Sequence, residues 1–304
     1  MAAHCARLIA EHEAFESPVI IHHNIGKQWS SQIEKVTNEY RLEQLTVGNV
    51  NDVNAVEYLR RIEPDIVFSV NNWDVIRAEV LAIPPDGIVN FHNGPLPAYR
   101  GVNIPSWAII NGEERHGVTW HFVSPKIDAG DMVASKTFDL SPGETAISLT
   151  LRCIKTGLEL FSPLLDTYGS GSLVSRPQEG EGRYYSAKDS PPNQGYLDFG
   201  WSFDRLSAIV RGLTFRPFAN LFTYPKLRVG ADTLLISEIT FCEGRSESEN
   251  WICGEIRGVD KKGIAVRARD GLVRLSGLVQ EDLVELSISE LTSRYGLVIG
   301  RILN

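Results

Sequence analysis

The sequence lacks the features that mark disulfide-bonded, zinc-stapled or membrane-spanning proteins. Its 304 residues include four cysteines, and no two of them form a C-x-x-C pair. A zinc-finger ligand set is therefore not indicated, and the thiols suit a reducing compartment. The N-terminus has no cationic stretch before a long apolar run, and no apolar run approaches about 18 residues. We therefore predict a cytoplasmic protein with no secretion signal and no membrane contact.

Positive charge is also scarce. The chain has 30 Lys and Arg residues against 38 Asp and Glu residues, so its formal net charge is −8 at pH 7. An acidic surface repels phosphate backbones, which makes nucleic acid an unfavourable partner. The sequence has no G-x-G-x-x-G, Walker A or H-E-x-x-H motif, and Asp128-x-x-Asp131 is too short for a calcium loop. We therefore predict no metal site.

The first part of the chain alternates between strand and helix patterns. Apolar runs at 66–70 and 87–91 are typical of buried strands, and residues 52–62 show helical spacing. Such alternation predicts an α/β domain with a parallel sheet. A long amphipathic helix at 145–168 ends this part, and Gly, Ser, Pro and charged residues then dominate 169–193, as in a linker.

Short strands separated by glycines dominate the last third of the chain. They follow a helix at 203–213 and predict a small antiparallel barrel or sandwich. Because a single core stops growing at about 250–300 residues, two domains are expected. We place the catalytic domain at 1–180, and the linker, helix and β-rich domain at 181–304.

Three polar residues near predicted strand ends form the strongest candidate site. Asn90 and His92 lie two apart on an extended segment, so their side chains project to one side. Asp128 follows after a helix and a strand that bring the chain back. This trio suits acyl or formyl transfer: His92 exchanges a proton, Asn90 donates to a developing oxyanion, and Asp128 orients the imidazole. From spacing alone, ordinary turn-forming roles remain the alternative.

Other polar residues favour structural roles. His22 and His23 end an apolar strand and His116 lies in a charged turn, so we expect all three to be solvated. His121 shares a strand face with Thr119 and is expected to be a hydrogen-bonded structural histidine. Arg100 has two open interpretations, an anion site or hydrogen bonds to carbonyls of its own loop. Three aromatic residues are able either to stack a ligand or to fill a core, and we expect core positions for both tryptophans: Tyr99, Trp107 and Trp120.

The segment Asn90 to Gly101, N-F-H-N-G-P-L-P-A-Y-R-G, resembles the 10-formyltetrahydrofolate-dependent formyltransferase family, as do Gly117-Val118-Thr119 and Asp128-Ala129-Gly130-Asp131. The family includes methionyl-tRNA and sugar N-formyltransferases, and the loop is most similar to assembly-line and small-amine formylation modules. The resemblance implies a Rossmann-like parallel sheet and a smaller, β-rich C-terminal domain that is OB-like. It also implies a first strand before residue 2, which this sequence lacks.

The resemblance assigns roles to individual residues. The family's catalytic Asn, His and Asp fall on Asn90, His92 and Asp128. The donor and cofactor would be 10-formyltetrahydrofolate, with no metal. Its pterin would lie between two loops and beside a third, and the residues implied to bind it are Asp74, Val75, Ile76, Val102, Ser124, Pro125, Lys126, Ile127 and Asp128.

The function implied is transfer of a formyl group to a primary amine of a small metabolite. An amino sugar or an amino acid derivative is expected, and natural-product biosynthesis is one setting. Two alternatives stay open: a 10-formyltetrahydrofolate hydrolase, and a catalytically silent protein that binds folate or a nucleotide sugar. Whether the C-terminal domain binds the acceptor or only packs, and whether the chain forms a homodimer, is also left open.

Overall fold

The computed structural model describes residues 1–23, 27–216, 218–244 and 250–303. The chain folds into two compact units that interleave along the sequence. The first comprises Met1–Val102, Arg115–Asp139 and Leu151–Tyr185, and the second comprises Asn103–Glu114, Leu140–Thr150 and Ser186–Asn304. The chain passes from the first unit to the second for the last time after Tyr185, close to the boundary predicted after residue 180. Two short segments of the predicted catalytic domain, 103–114 and 140–150, belong to the second unit.

Up to residue 185 the chain alternates helices and strands. In chain order these are α1 (Ala2–Glu11), β1 (Val19–His23), α2 (Lys27–Tyr40), β2 (Glu43–Val47), α3 (Val53–Ile62), β3 (Val67–Ser69), α4 (Ala78–Leu81), β4 (Ile88–His92), β5 (Tyr99–Gly101), α5 (Ile104–Asn111), β6 (Arg115–Phe122), β7 (Met132–Asp139), α6 (Ala146–Gly169) and β8 (Arg183–Tyr185). Helix α5 and the first residues of α6 belong to the second unit.

The main sheet of the first unit is mixed. Its strand order is β3-β4-β6-β7, with β3 parallel to β4, β6 antiparallel to β4, and β7 antiparallel to β6. The prediction of a parallel sheet therefore holds for β3–β4 and for the separate pair β1–β2. It is wrong for β6 and β7, because the connection after β4 stays at one end of the sheet and β6 runs straight back.

No strand joins the two sheets within the described ranges. There, β1 pairs only with β2 and β3 pairs with β4 alone. All five residues of β1 are half-buried. The strand that the family resemblance places before α1 accordingly has no counterpart among these residues.

An apolar face of the main sheet packs on α6. Phe91 of β4 and Trp120 of β6 contact each other, and the Trp120 ring stacks on Phe161 with centroids 4.8 Å apart. Trp120 is fully buried, as predicted, and donates its ring N–H to the Gly157 carbonyl at 3.0 Å. Gly157 is required here because a Cβ atom would lie 2.2 Å from the Phe91 ring. Since strand side chains alternate, the neighbours of Phe91 project from the opposite face.

The predicted linker at 169–193 contains a strand. Strand β8 pairs in parallel with β5. The strand has only three residues and is surrounded by Gly, Ser and Pro, which are typical of loops. Its partner lies more than 80 residues away in the chain, so a local sequence pattern does not predict the pairing. The linker prediction is therefore wrong at this point.

The C-terminal part of the second unit is rich in antiparallel strands, as predicted. Its elements are α7 (Phe203–Leu213), β9 (Lys226–Val229), β10 (Asp232–Leu235), β11 (Glu238–Gly244), β12 (Ile256–Asp260), β13 (Gly263–Arg267), β14 (Gly271–Ser276) and α8 (Ile288–Ser293). They form a sheet of order β11-β14-β13-β12 and a hairpin β9–β10. These pairings do not close a barrel within the described residues, so the OB-like assignment stays a prediction.

Among the helices of the described ranges, none is both long enough and apolar enough to cross a bilayer.

Candidate active site

Strands β4 and β6 bring four polar side chains onto the sheet face opposite α6. Asn90 and His92 alternate with Phe91 along β4. The register pairs Asn90 with His121, and His92 with Thr119. All of them belong to the first compact unit. Side-chain alternation and strand register together therefore assemble the floor of the site.

His92 has a defined tautomer. Its Nε2 lies 2.6 Å from the Tyr99 carbonyl oxygen, and because a carbonyl can only accept, Nε2 carries the proton. Nδ1 is then the basic nitrogen, and it lies 3.7 Å from Oδ2 of Asp128. Burial lowers the pKa of His92, and the nearby Asp128 carboxylate and the Tyr99 carbonyl only partly oppose this. At neutral pH the ring is therefore uncharged, with a free lone pair on Nδ1 beside a carboxylate.

Asp128 lies in the loop between β6 and β7 and has a left-handed backbone, with φ of 49°. Its Oδ2 accepts the Gly101 backbone N–H at 2.7 Å, and its Oδ1 lies 3.5 Å from His121 Nε2. Burial acts to raise the pKa of Asp128, but contacts with His121, His92 and the Gly101 N–H outweigh it and lower the pKa. The carboxylate is therefore ionised although it is largely buried.

His121 links Asn90 to Asp128. Its Nδ1 donates to the Phe122 carbonyl at 2.8 Å, and its Nε2 lies 3.3 Å from Asn90 Nδ2 and 3.5 Å from Asp128 Oδ1. One N–H of the Asn90 amide faces this nitrogen, and the other is available to a ligand. Sequence reasoning assigned His121 a structural role and missed that it touches two members of the trio. The usable signal was its alternation with Thr119 on a strand next to β4.

In the loop after β3, Asp74 is occupied by protein donors. Its carboxylate accepts from Asn49 Nδ2 and the Val50 backbone N–H, both at 2.8 Å, and lies 3.3 Å from His23 Nε2. The Asp74 side chain therefore links the loop after β3 to the end of β1 and to the loop after β2. A role for Asp74 in cofactor binding through its carboxylate stays a prediction.

The neighbours of Asp74 combine an anchor with exposed apolar surface. Ile76 packs against a buried cluster formed by α3, α4 and β4, namely Val56, Leu59, Val80 and Ile88. Val75 is 61% exposed, and Trp73, which the sequence analysis did not single out, is 74% exposed. The loop after β3 therefore presents apolar groups to a ligand from a fixed base.

The loop before Asp128 shares this base, because Val123 packs on the same cluster. Ser124 Oγ donates to the Lys126 carbonyl at 2.8 Å, which closes the loop around Pro125. Ile127 precedes Asp128 and Val102 follows Gly101, and both are partly exposed. Apolar side chains therefore flank both ends of the hydrogen bond between Gly101 and Asp128. An edge of this kind fits a flat heterocycle held mainly by backbone groups and apolar contacts.

Of the three histidines predicted to be solvated, His116 is buried and His22 and His23 are only partly exposed. His116 is 1% exposed and its Nε2 lies 2.9 Å from the Asn93 carbonyl, while burial lowers its pKa to about 4. The charged residues before His116 indicate a solvated turn, but His116 is the second residue of β6, whose next residues are buried. His22 and His23 are half-buried, and His23 contacts Asp74.

The side chains whose role was left open have defined places. Arg100 Nη2 donates to the side chain of Gln178 at 3.0 Å, and an anion site at Arg100 stays a prediction. Tyr99 and Trp107 are buried, and the Tyr99 ring stacks on Tyr185. No group of three potential metal ligands is found in the described part of the chain.

Comparison with known proteins fits this arrangement. The family model of formyl transferases matches residues 20–164, which include the whole trio. The resemblance to the formyltransferase family is confirmed by this match. It is 29% identical over 249 residues to a methionyl-tRNA formyltransferase of Ruminiclostridium cellulolyticum, an alignment that covers 81% of this chain and 76% of that protein. The expectation of a folate-dependent formyltransferase, an enzyme that transfers a one-carbon group, is confirmed at the level of the family.

Solved structures share the fold. WlaRD, a sugar 3N-formyl transferase solved with dTDP and 5-N-formyl-THF, superposes with a TM-score of 0.68 at 18% identity, over 90% of this chain and 93% of that one. HypX from Aquifex aeolicus gives 0.69 at 18% identity over 94% of this chain, which spans 49% of HypX. An N-formyltransferase from Helicobacter canadensis, in complex with folinic acid and dTDP-3-aminofucose, gives 0.61 at 16% identity, over 87% of this chain and all of that one.

Proposed function

We propose that the protein transfers the formyl group of 10-formyltetrahydrofolate to a primary amine of a small metabolite. The observation that carries this proposal is the arrangement of Asn90, His92 and Asp128 at one sheet face, where His92 is buried and the other two are half-buried. It offers a free amide donor, an uncharged imidazole with its lone pair on Nδ1, and an ionised carboxylate beside that nitrogen. These are the three groups that acyl transfer to an amine needs.

Each residue of the trio has a separate role in formyl transfer. The amine nitrogen bonds to the formyl carbon and gives a proton to His92 Nδ1, where the Asp128 carboxylate stabilises the imidazolium. The free N–H of Asn90 donates to the formyl oxygen as negative charge develops there. His92 then returns its proton to N10 as the bond between N10 and the formyl carbon breaks. Proton exchange by one positioned side chain contributes typically about 10²–10⁴-fold to a rate.

The residues around Asp128 fit the donor. When bound, 10-formyltetrahydrofolate supplies the activated formyl carbon. Val75, Val102 and Ile127 are exposed apolar side chains on loops that are fixed at their base, and we assign them to contacts with the folate ring. Their neighbours from Ser124 to Lys126 offer backbone groups to the polar edge of that ring.

The acceptor is proposed from charge and from the relatives. A net charge of −8 disfavours a tRNA acceptor, although one curated relative is a methionyl-tRNA formyltransferase. The similar structures include a sugar 3N-formyl transferase in the presence of dTDP and an N-formyltransferase in complex with dTDP-3-aminofucose. We therefore place amino sugars first and amino acid derivatives second. The C-terminal unit is proposed to be OB-like and to pack rather than to bind the acceptor.

The test is a screen of amines with the purified full chain. The chain is mixed with 10-formyltetrahydrofolate and, in separate reactions, with dTDP-3-aminofucose, free amino acids and methionyl-tRNA. Tetrahydrofolate and formylated product are measured, with the variant His92→Gln as the matched control. The proposal expects stoichiometric product and tetrahydrofolate with a small amine, and at least about a 100-fold lower rate in the control.

The other outcomes contradict the proposal in distinct ways. Formate release at the same rate with and without any amine identifies a hydrolase. Thermal stabilisation by the folate without any turnover identifies a silent binding protein. Formylation of methionyl-tRNA alone overturns the small-molecule acceptor while it leaves the chemistry of the site intact.

A further inference from the structure

A glutamine side chain far from the trio in sequence supports the loop that carries Asp128. Gln178 lies in the segment between α6 and β8, and its Nε2 donates to the carbonyls of Asp128 at 2.9 Å and Gly130 at 2.8 Å. Its Oε1 accepts from Arg100 Nη2 at 3.0 Å. The amide thus makes three of the four hydrogen bonds that it can form.

Arg100 determines how this amide is oriented. A guanidinium group has only donors, so the amide oxygen must face it and the NH₂ group must face the two carbonyls. Arg100 also precedes Gly101, whose N–H holds the Asp128 carboxylate at 2.7 Å. Strand β5 therefore holds Asp128 in two ways. Gly101 binds its side chain directly, and Arg100 orients the Gln178 amide that binds its main-chain carbonyl.

The loop needs this support because its conformation is unfavourable by itself. Asp128 has a positive φ, which a residue with a Cβ adopts at about 1–2 kcal/mol above the right-handed form. Gly130 is so close to Phe122 that a Cβ atom would lie 1.9 Å from its carbonyl oxygen. With the chain held in this way, the carbonyls of Asp128 and Gly130 lie beside one amide.

The segment that carries Gln178 is itself anchored to the sheet. The backbone N–H and carbonyl of Arg176 exchange hydrogen bonds with those of Met132 at 2.9 and 2.8 Å. The Arg176 side chain donates to Ser135 Oγ at 3.0 Å, and the described residues show no hydrogen bond or ion pair between it and Asp128. Arg176 therefore offers a matched control two residues away from Gln178.

We propose that Gln178, oriented by Arg100, is a positioning residue that holds Asp128 against His92. The catalytic consequence rests on the proposed function, whereas the positioning itself does not. Without the two donors of Gln178 the loop relaxes toward a less strained backbone. The Asp128 carboxylate then leaves its place beside His92 Nδ1, and the imidazolium loses its counter-ion.

The first test is structural and needs no substrate. Crystal structures of the full-length variants Gln178→Met and Arg176→Met are compared with that of the unchanged chain. We expect the separation of Asp128 Oδ2 and His92 Nδ1 to increase by about 1 Å or more in Gln178→Met and to stay the same in Arg176→Met. If Gln178→Met does not fold, Gln178→Glu replaces it, because a carboxylate still accepts from Arg100 but offers no donor to the carbonyls. An Asp128 that stays in place in Gln178→Met, or in Gln178→Glu where that variant replaces it, overturns the proposal.

The second test is kinetic and uses the amine identified by the screen. We expect kcat to fall about 10- to 100-fold in Gln178→Met, with KM for the folate within about threefold, because misplacement of a reacting group affects the transition state most. In an Asp128→Asn background the same change is expected to have no further effect. Arg100→Lys, which retains one donor to Gln178, is expected to keep more activity than Arg100→Met. Multiplicative losses in the double variant would show that Gln178 does not act through Asp128.

Discussion

Replacement of His92 by glutamine separates the chemistry of the site from its folding. Glutamine can place its Nε2 near the position of the imidazole Nε2 and donate to the Tyr99 carbonyl, as His92 does at 2.6 Å. It has no nitrogen that accepts a proton at neutral pH. We therefore expect the fold to persist in His92→Gln while kcat falls by about 10²–10⁴-fold, the usual contribution of general acid–base catalysis.

Alanine at the same position predicts a different pattern. His92 is 5% exposed, so His92→Ala removes the buried hydrogen bond that the ring makes to the Tyr99 carbonyl, and loss of such a bond destabilises a fold by about 1–3 kcal/mol. Loss of ring packing adds to this. Since the glutamine variant retains the donor, its free energy of unfolding should fall by less than about 1 kcal/mol. Urea unfolding of the two variants at pH 7 measures the difference.

The assay is single-turnover transfer of a labelled formyl group to the amine found by the screen, followed over a range of pH. Protonation of the amine lowers the rate of both chains alike, so the ratio of the unchanged rate to that of His92→Gln isolates the contribution of His92. This ratio should hold below pH 6.5 and decline only further into acid, because burial lowers the pKa of His92 and the uncharged ring is the active form. A glutamine variant within about threefold of the normal rate would refute the assignment of His92 as the base.

Three further predictions concern neighbouring residues. Asn90→Ala should lower kcat by about 10²–10³-fold with little change in KM, the usual effect of losing an oxyanion donor, and an unchanged kcat would contradict it. His116→Gln should make the fold less sensitive to acid, because unfolded His116 binds its proton below about pH 6.5 but the folded form only near pH 4. Between pH 7 and pH 5 the unchanged chain should therefore lose about 2 kcal/mol that the variant does not lose, as urea unfolding at the two pH values tests. Gly157→Ala should destabilise the fold by about 1–3 kcal/mol, because the new methyl group meets Phe91 at 2.2 Å, and equal melting temperatures would refute this.

Local sequence pattern predicts much of this site because two of its residues share one strand. The alternation around Phe91 is enough to place Asn90 and His92 on a common face, and the apolar run before them indicates a buried strand. The return of Asp128 to that face rests on the family motif, since the intervening helix and strand fix no distance by themselves.

Alternation of residues along a strand does not predict the direction or the register in which the strand pairs. Alternation in β6 places His121 on the same face as Thr119 but does not indicate that β6 pairs antiparallel with β4, with His121 beside Asn90. The support of Asp128 by Gln178 joins residues 50 apart through loop carbonyls. Hydrogen bonds between loops leave no periodic trace in the sequence, so neither Gln178 nor strand β8 was predicted.

Burial of the trio serves the reaction only because the carboxylate and the imidazole are buried together. In the resting site the pair carries one negative charge, held by the Gly101 N–H and the neighbouring His121. Arrival of a proton at His92 Nδ1 converts this lone charge into an ion pair, so the step removes an uncompensated buried charge rather than creating one. Attack by the amine is thereby favoured in a medium that would otherwise oppose an imidazolium. The same reasoning explains why the loop around Asp128 is held at both its main chain and its side chain: a displaced carboxylate would leave the new cation buried alone.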